Sequence, residues 1–420
     1  MSIKKRGGQR AVILGLAVGL LGGGEVASAQ IPCGGYEVSA VIQVAECPPF
    51  GFPPTLAEGL NEQGWMVGWF RACVIGPDVA WFWTPELGMQ VIPTPAGTTY
   101  SRAVAISGSL IVGDFDNSNE LGRTGFLYDV ESDEFTSLGT LPGGNTSEVG
   151  GINSSGEIAG FWGDVVNGPF PLAFIWREAE MIDIHPDFGT SRSVPSDINS
   201  NSLVTGWMGS SPLTDARAFI WDEGKVTQLP EIPGGITSEG WTINNLEDVA
   251  GRGRIVDPRS GDTVKRAFAW IDGQMFLLGT LPGYPNSTAT DINDDQIIVG
   301  FSQTTSGRAF VWRDGQMAAL NDLIPPALDL DFSTARGINQ AGQIAASATN
   351  EFGDAVAVLL TPIQGPPGDL NNDCQVGAAD LLILLSSWGP CDDCRNCAAD
   401  LNSDCVVGGA DLLTLLANWG

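Results

Sequence analysis

Short apolar runs alternate with turn residues along most of the chain, and the pattern repeats between about residues 36 and 362. In one apolar run, Phe219 and Trp221 share one face of an extended strand, while Ala218 and Ile220 share the other. Both faces are apolar, which is typical of a strand buried on two sides. Helical periodicity is absent from this stretch, so the pattern predicts a mainly β structure.

Two landmarks define the repeat. The first is an apolar strand that resembles Ala-Phe-x-Trp, and the second is an Ile-Asn pair or a close variant. The second landmark falls at Asn61, Ser107, Asn153, Asn199, Asn244, Asn293 and Asn339. The successive spacings are 46, 46, 46, 45, 49 and 46 residues. Such a period indicates a solenoid or a propeller, and about four short strands per unit is the size of one propeller blade.

The turns and the ends of the repeat favour a closed ring. Segments 152–156 and 338–342 are typical hairpin turns, in which Asn starts the turn and Gly supplies the positive φ. The last unit ends near residue 360 without its final strand, and residues 36–42 form an extra strand of the right type at the other end. We therefore predict a seven-bladed β-propeller over residues 36–362, with no open edge. The alternative is an open β-solenoid, which would need capping units that we do not find.

The units resemble the HAF-repeat family of exported bacterial proteins. The segments 138–144 (Leu-Gly-Thr-Leu-Pro-Gly-Gly) and 278–283 match that family's pattern, and the match extends over about residues 36–362. The family's His is replaced by Arg217, Arg266 and Arg308, and the chain's one histidine is His185. The resemblance implies export and a repeat architecture, but no defined chemistry.

A different pattern follows a Pro/Gly linker at residues 363–368. Two copies of an acidic loop, each followed by a Leu-rich run, begin at Asp369 and Asp400. Each copy has side-chain oxygens at loop positions 1, 3, 5 and 12 and a main-chain carbonyl at position 7, which is the spacing of an EF-hand-type Ca²⁺ loop. Two acidic surface loops without a ligand are the alternative. The predicted Ca²⁺ ligands are Asp369, Asn371, Asp373, Gln375 and Asp380 in the first loop and Asp400, Asn402, Asp404, Val406 and Asp411 in the second.

The paired loops resemble a type I dockerin, a small α module that binds cohesin domains in the presence of Ca²⁺. The resemblance covers residues 369–420 and implies a tether to a cohesin-like or cell-surface protein. Loop position 6 departs from the family, because Cys374 and Cys405 replace the usual Gly. The runs at 381–387 and 412–418 also lack the basic residues that known dockerins present to cohesin.

The first 29 residues have the features of a signal peptide: a basic start, an apolar run at 11–24 and Ala27-Ser28-Ala29 before the expected cleavage point. An uncleaved membrane anchor is the alternative. We expect a secreted, cell-surface or periplasmic protein that is not inserted in a membrane after cleavage. The net charge of −29 is unfavourable for binding nucleic acid or anionic lipid.

Eight cysteines in an exported chain indicate disulfides. Three lie near the N-terminus and five near the C-terminus, so either one bridge joins the two regions or two thiols stay free. The spacing of the cluster at 391–397 leaves a zinc site as an alternative.

Motifs for metalloproteases, serine hydrolases and nucleotide binding are absent from the sequence. We expect His185 at a loop or strand end, and the Trp residues of the first landmark in the core. Any ligand site should come from residues that break the repeat. Candidates for stacking on a carbohydrate are Trp65, Trp69, Trp162, Trp207 and Trp241.

The leading hypothesis is a non-enzymatic binding or scaffold protein whose propeller presents a ligand surface, with carbohydrate as a candidate ligand. The second hypothesis is an enzyme that acts on extracellular polysaccharide. Buried, facing carboxylates at one mouth of the propeller channel would favour the enzyme.

Overall fold

The computed structural model describes residues 35–44, 53–72, 76–116, 122–166, 168, 170–258, 260–325, 328–363, 365–371, 375–391 and 397–420. The expected signal peptide, the loop ligand Asp373 and five of the cysteines (Cys33, Cys47, Cys73, Cys374 and Cys394) lie outside these ranges. Over the part of the chain that is described, no helix is both long and apolar enough to cross a membrane.

Seven four-stranded antiparallel sheets are arranged as the blades of a β-propeller. β1 (Tyr36–Ile42) precedes blade 1 in the chain. The strands of blades 1 to 3 are β2 Thr55–Leu60, β3 Met66–Arg71, β4 Asp78–Thr84 and β5 Gly88–Val91; β6 Ser101–Ser107, β7 Leu110–Asp116, β8 Arg123–Asp129 and β9 Glu134–Gly139; and β10 Thr146–Ile152, β11 Ile158–Gly163, β12 Leu172–Arg177 and β13 Glu180–Asp183. Those of blades 4 to 7 are β14 Arg192–Ile198, β15 Val204–Gly209, β16 Arg217–Asp222 and β17 Lys225–Gln228; β18 Gly235–Ile243, β19 Val249–Val256, β20 Thr263–Ile271 and β21 Gln274–Gly279; β22 Asn286–Ile292, β23 Ile298–Gln303, β24 Gly307–Arg313 and β25 Gln316–Ala319; and β26 Asp331–Ile338, β27 Ile344–Thr349 and β28 Ala355–Pro362.

The first strand of the chain completes the last blade. β1 pairs antiparallel with β28, in a register that runs from Tyr36 opposite Pro362 to Ile42 opposite Ala357. The predicted closure is therefore confirmed, and the open-solenoid alternative is wrong. Tyr36 is fully buried in the core of blade 7, so the closing strand contributes packing as well as backbone hydrogen bonds.

The Ala-Phe-x-Trp landmark forms the third strand of each blade, and its second residue fills the blade core. Phe174 is fully buried and lies directly opposite Gly160 of the neighbouring strand. A Cβ added at Gly160 would come within 2.7 Å of the Phe174 ring. The glycine therefore makes room for the aromatic side chain. The landmark tryptophans Trp83, Trp176, Trp221, Trp270 and Trp312 pack in or against the hydrophobic cores, as predicted.

The landmark asparagines shape their turns and also join the blades. Asn153 Oδ1 accepts hydrogen bonds from the backbone N–H groups of Ser155 and Glu157, which confirms its predicted role at the start of the turn. Its Nδ2 donates to the carbonyl oxygen of Asn199 in the next blade at 3.1 Å. The same link recurs at the other landmark asparagines and forms an asparagine ring that is interrupted at blade 2, where Ser107 stands. Asn339 Nδ2 joins the last blade to the first through the carbonyl oxygen of Asn61 at 3.1 Å. Other links of this kind run from Asn61 to Gly108, Asn199 to Asn244, Asn244 to Asn293 and Asn293 to Asn339.

The C-terminal residues form a small module with two short helices, α1 (Ala378–Ser386) and α2 (Gly409–Ala417). β29 (Gly389–Pro390) pairs with β30 (Val406–Val407). Val376, Leu384, Ala399, Val407 and Leu415 make up its buried core. A disulfide joins Cys391 to Cys397, and Cys405 is also disulfide-bonded. The zinc alternative is thus wrong for Cys391 and Cys397.

Candidate functional site: the mouth of the propeller channel

The first strand of each blade lines a central channel, which opens at the asparagine turns into a cavity of about 560 Å³. Each of these seven strands has a β-bulge at the same place, where the residue three before the landmark position is left without a cross-strand partner. All seven bulged residues lie on the cavity wall. They are Glu58, Val104, Gly150, Ser196, Trp241, Thr290 and Arg336.

The cavity wall differs from one side to the other, although the backbone repeats. At the bulge and the position after it, blade 2 contributes only Val104 and Ala105 to the wall, and blade 3 contributes only Gly150. The remaining blades contribute an aromatic ring, hydroxyls, carboxylates and one guanidinium at the same two positions. The channel is therefore roomy beside blades 2 and 3 and chemically varied on the opposite wall.

Glu58 and Arg336 meet across the junction between the first and last blades. Their closest charged atoms, Arg336 Nε and Glu58 Oε2, are 3.6 Å apart. Trp69 Nε1 donates a hydrogen bond to Glu58 Oε1 at 2.9 Å. The position of Glu58 is thus fixed from two sides, and its charge is balanced by Arg336.

Two aspartates face the cavity from blades 4 and 6, on either side of Thr242 in blade 5. Thr242 Oγ1 donates to Asp291 Oδ1 at 2.9 Å. Asp197 Oδ2 accepts the backbone N–H of Ile243 at 3.0 Å, and Asp291 Oδ2 accepts that of Ile338 at 2.8 Å. Each aspartate therefore joins its own blade to the next one. A carboxylate oxygen has a second lone pair, so these bonds leave acceptor capacity for a ligand.

Burial shifts the protonation of both aspartates. It raises the pKa of Asp197 to about 7, and the charge of Asp291 adds to this rise. Burial likewise raises the pKa of Asp291 to about 6, against backbone hydrogen bonds that lower it. Both groups consequently change charge in the neutral to mildly acidic range, as carboxyls at functional sites often do.

The rim above this wall is held by a chain of hydrogen bonds between successive turns. Asn245 Oδ1 accepts the N–H of Ser200 at 3.0 Å, and Asp294 Oδ1 accepts the N–H of Asn245 at 2.8 Å. Gln340 Oε1 accepts the N–H of Asp294 at 2.9 Å, and Glu62 accepts the N–H of Gln340 at 3.1 Å. The mouth is therefore rigid on the side that carries the varied side chains.

The tryptophans proposed for carbohydrate stacking occupy different environments. Trp69 is buried, and the Arg102 guanidinium lies 4.1 Å from its ring centroid, so Trp69 does not have the expected exposure. Trp65, Trp162, Trp207 and Trp241 are half-buried. Of the five, Trp241 lines the channel cavity.

His185 lies outside this site. It begins a short 3₁₀ turn, His185–Asp187, just after β13, in agreement with the expected strand-end position. Its Nδ1 is 2.7 Å from Ser193 Oγ, and burial lowers its pKa.

The second acidic loop of the C-terminal module folds around its predicted Ca²⁺ ligands. Asp400 Oδ2 accepts the N–H of Cys405 at 2.7 Å, and Asp400 Oδ1 accepts that of Asp404 at 3.1 Å. Cys405 has a φ of 69°, the left-handed conformation that an EF-hand-type loop requires at its sixth position. Backbone shape and donor chemistry therefore fit a Ca²⁺ loop.

The aspartates at loop position 12 are both fully buried and bind backbone groups. Asp380 Oδ2 accepts the N–H of Gly377 at 2.8 Å, and Asp411 Oδ2 accepts that of Gly408 at 2.7 Å. Asp369, Asn371 and Gln375 lie in the loop before α1. Asn402 lies in the segment before α2, and Val406 begins the short strand β30 there. Among the described residues, which omit Asp373, no group of three His, Cys, Asp or Glu side chains is arranged to hold a metal.

Comparison with protein-family models and with curated proteins found no match. Solved structures with a similar fold include an oligogalacturonate lyase from Vibrio parahaemolyticus, which is 11% identical over 78% of this chain and 98% of that chain, with a TM-score of 0.49. The β-propeller domain of the Trilobed protease from Pyrococcus furiosus is 13% identical over 66% of this chain and 86% of that one, with a TM-score of 0.44. TolB from Acinetobacter baumannii is 10% identical over 71% of this chain and 80% of that chain, with a TM-score of 0.37. At these identities the likeness concerns the fold alone.

Proposed function

We propose that this chain is an exported binding protein whose propeller holds a carbohydrate ligand at the asparagine-turn mouth of the channel. The observation that carries the proposal is the ring of bulged residues, where side chains differ between blades although the backbone repeats. Packing explains the residues that recur in every blade, but it does not explain why Trp241, Ser196 and Thr290 stand at one equivalent position. An aromatic ring among hydroxyls and carboxylates suits a sugar, which has an apolar face and hydroxylated edges.

The C-terminal module would act as the tether in this proposal. Its paired acidic loops have the residue types and the loop shape for Ca²⁺, and the HAF-repeat and dockerin resemblances both agree with an exported protein. Bound Ca²⁺ would crosslink the loop oxygens and stabilise the module. We further propose that residues 369–420 bind a cohesin-like or cell-surface partner.

The carbohydrate proposal is tested on the protein without its first 29 residues, by a screen on immobilised glycans followed by calorimetry. We expect Trp241→Ala to weaken the best interaction at least tenfold, because the ring supplies the apolar contact. Trp207→Ala is the matched control, since Trp207 is also half-buried but does not line the cavity. Equal losses in the two variants would count against the channel as the site.

The tether proposal is tested separately by calcium titration. Asp369→Ala combined with Asp400→Ala removes the first ligand of each loop, and we expect it to abolish Ca²⁺-dependent stabilisation of the module. Unchanged calcium binding in calorimetry would show that these loops are not the sites. The propeller's glycan binding should be the same in this variant, which separates the two proposals.

A second candidate function is hydrolysis or cleavage of a polysaccharide at the same mouth. Asp197 and Asp291 favour it, because they are two carboxyls with raised pKa values on one wall of the channel. Release of new sugar ends from a bound polysaccharide, lost in Asp197→Asn and in Asp291→Asn, would support an enzyme. Stable binding without any turnover would support the binding protein.

A further inference from the structure

The charged groups that face the cavity are predominantly acidic. Glu58, Glu62, Asp197, Asp291 and Arg336 are the ionisable residues on its wall. Arg336 is paired with Glu58, so the guanidinium does not compensate the other three carboxyls. The cavity also belongs to a chain with a net charge of −29, whose field draws cations towards it.

The other charged groups around this wall do not change that balance. The Arg252 guanidinium lies over the Trp241 ring, 4.7 Å from its centroid. Its charge is paired with Glu239 at 3.0 Å. Asp294 on the rim adds a further negative charge beside Glu62.

The two aspartates on either side of blade 5 are not part of the repeated pattern of the blades. The equivalent position in the other blades is occupied by Gly, Ala or Thr, and those blades have the same bulge and the same pairing. Asp197 and Asp291 are thus specific to blades 4 and 6, where each also accepts a backbone hydrogen bond from the next blade. Trp241, next to Thr242 in blade 5, lines the same cavity.

An aromatic ring flanked by carboxylates on both sides is a recognition arrangement for organic cations. The ring face attracts positive charge through its quadrupole, and the carboxylates accept the N–H groups of an ammonium ion. The hydroxyls of Ser196 and Thr290 on the same wall are suited to ring hydroxyls of a sugar.

We propose that the ligand of the channel mouth is an amino sugar, with its ammonium group between Asp197 and Asp291 and its ring against Trp241. This inference rests on the proposed carbohydrate-binding function and specifies the chemical class of the sugar. A neutral sugar would offer no counter-charge to these two carboxyls, and a uronic acid would add another negative charge to an acidic wall.

The test compares three trisaccharides that have similar size but different charge. The probes are β-1,4-linked glucosamine trimer, cellotriose and trigalacturonate, titrated calorimetrically into the wild-type protein at pH 7 and a fixed calcium concentration. We expect the glucosamine trimer to bind at least tenfold more tightly than cellotriose, and trigalacturonate to bind most weakly. Glucosamine trimer and cellotriose differ by an amine against a hydroxyl at C2, so the ratio reports the ammonium contact.

Two further measurements separate charge recognition from general loss of the fold. Asp197→Asn with Asp291→Asn should remove the preference for the amine, so that the glucosamine trimer and cellotriose bind this variant within about twofold of each other, with an unchanged circular dichroism spectrum. The advantage of the wild type over this variant in binding the glucosamine trimer should shrink from pH 7 to pH 5, because both aspartates take up protons over this range. Protonation of the sugar's own amines affects both proteins alike, and cellotriose affinity should stay constant in each.

Failure of this inference can be distinguished from failure of the proposed function. If cellotriose binds as tightly as the glucosamine trimer, and Trp241→Ala still weakens cellotriose binding, the channel is a carbohydrate site and the amino-sugar assignment is wrong. Two other results would also overturn the amino-sugar assignment. One is that trigalacturonate binds most tightly of the three probes. The other is that millimolar Mg²⁺ displaces the glucosamine trimer from the wild type but not from the variant with both aspartates changed to Asn. If none of the three probes binds and the glycan screen is negative, both proposals fail.

Discussion

The hydrogen bond that closes the asparagine ring predicts a measurable stability change. Asn339 is 2% exposed, and its side chain binds two backbone groups: the N–H of Gln343 at 2.9 Å and the carbonyl oxygen of Asn61 at 3.1 Å. Asn339→Ala leaves both without a partner in a buried turn. Each unsatisfied buried group costs about 1–3 kcal/mol, so we expect the free energy of unfolding to fall by roughly 2–6 kcal/mol.

The assay is urea denaturation followed by tryptophan fluorescence, with thermal melting as a second measure. Because the entropy of unfolding grows with chain length, each kcal/mol lowers the melting temperature by roughly 1–2 °C here, so the expected fall is about 2–12 °C. Ser154→Ala is the control, since Ser154 lies in an equivalent turn but makes one exposed side-chain hydrogen bond, to Ser200. If Asn339→Ala and Ser154→Ala agree within about 0.5 kcal/mol, the asparagine ring does not hold the blades together.

Two other predictions concern the blade core and a buried carboxyl. Gly160→Ala places a Cβ 2.3 Å from the carbonyl oxygen of Glu148. We therefore expect chemical denaturation to show that the free energy of unfolding falls by at least about 2 kcal/mol. A denaturation curve identical to that of the wild type would contradict this explanation of the packing. Burial, helped by the charge of Glu148, raises the pKa of Asp114 to about 8. A raised folded-state pKa gives stability that is complete below the unfolded-state pKa and is lost as pH rises. Asp114→Asn should therefore gain stability over the wild type between pH 5 and pH 8.5, and a constant difference across these pH values would refute the assignment.

The propeller could be predicted because its determinants recur along the chain. The Asn landmarks give the blade number, and the strand at Tyr36–Ile42 matches the one missing from the last unit. A buried aromatic opposite a glycine, as at Phe174 and Gly160, recurs in six of the seven blades, and Val358 opposite Ala346 replaces it in blade 7. Repetition makes such rules visible in a single sequence.

The channel wall was harder to predict, because its residues are defined by a β-bulge. In a regular strand the side chains alternate between two faces, and this rule would assign Trp241 to one of them. The bulge after Gly240 breaks the alternation, because it leaves Trp241 without a cross-strand partner. One signal was present in the sequence: the two positions before the Ile-Asn pair vary between blades, whereas the landmark itself recurs. That variation marks Asp197 and Asp291, although only the ring closure shows that both face one cavity.

The account's central claim is that the propeller holds its ligand at the asparagine-turn mouth of the channel. The most direct measurement is a crystal structure of the protein with the tightest-binding saccharide from the screen. We predict density for the sugar inside the cavity, in contact with the Trp241 ring and within hydrogen-bond distance of Asp197 or Asp291. Density only on the outer strands of the blades or on the C-terminal module, with the cavity filled by water, would contradict the account.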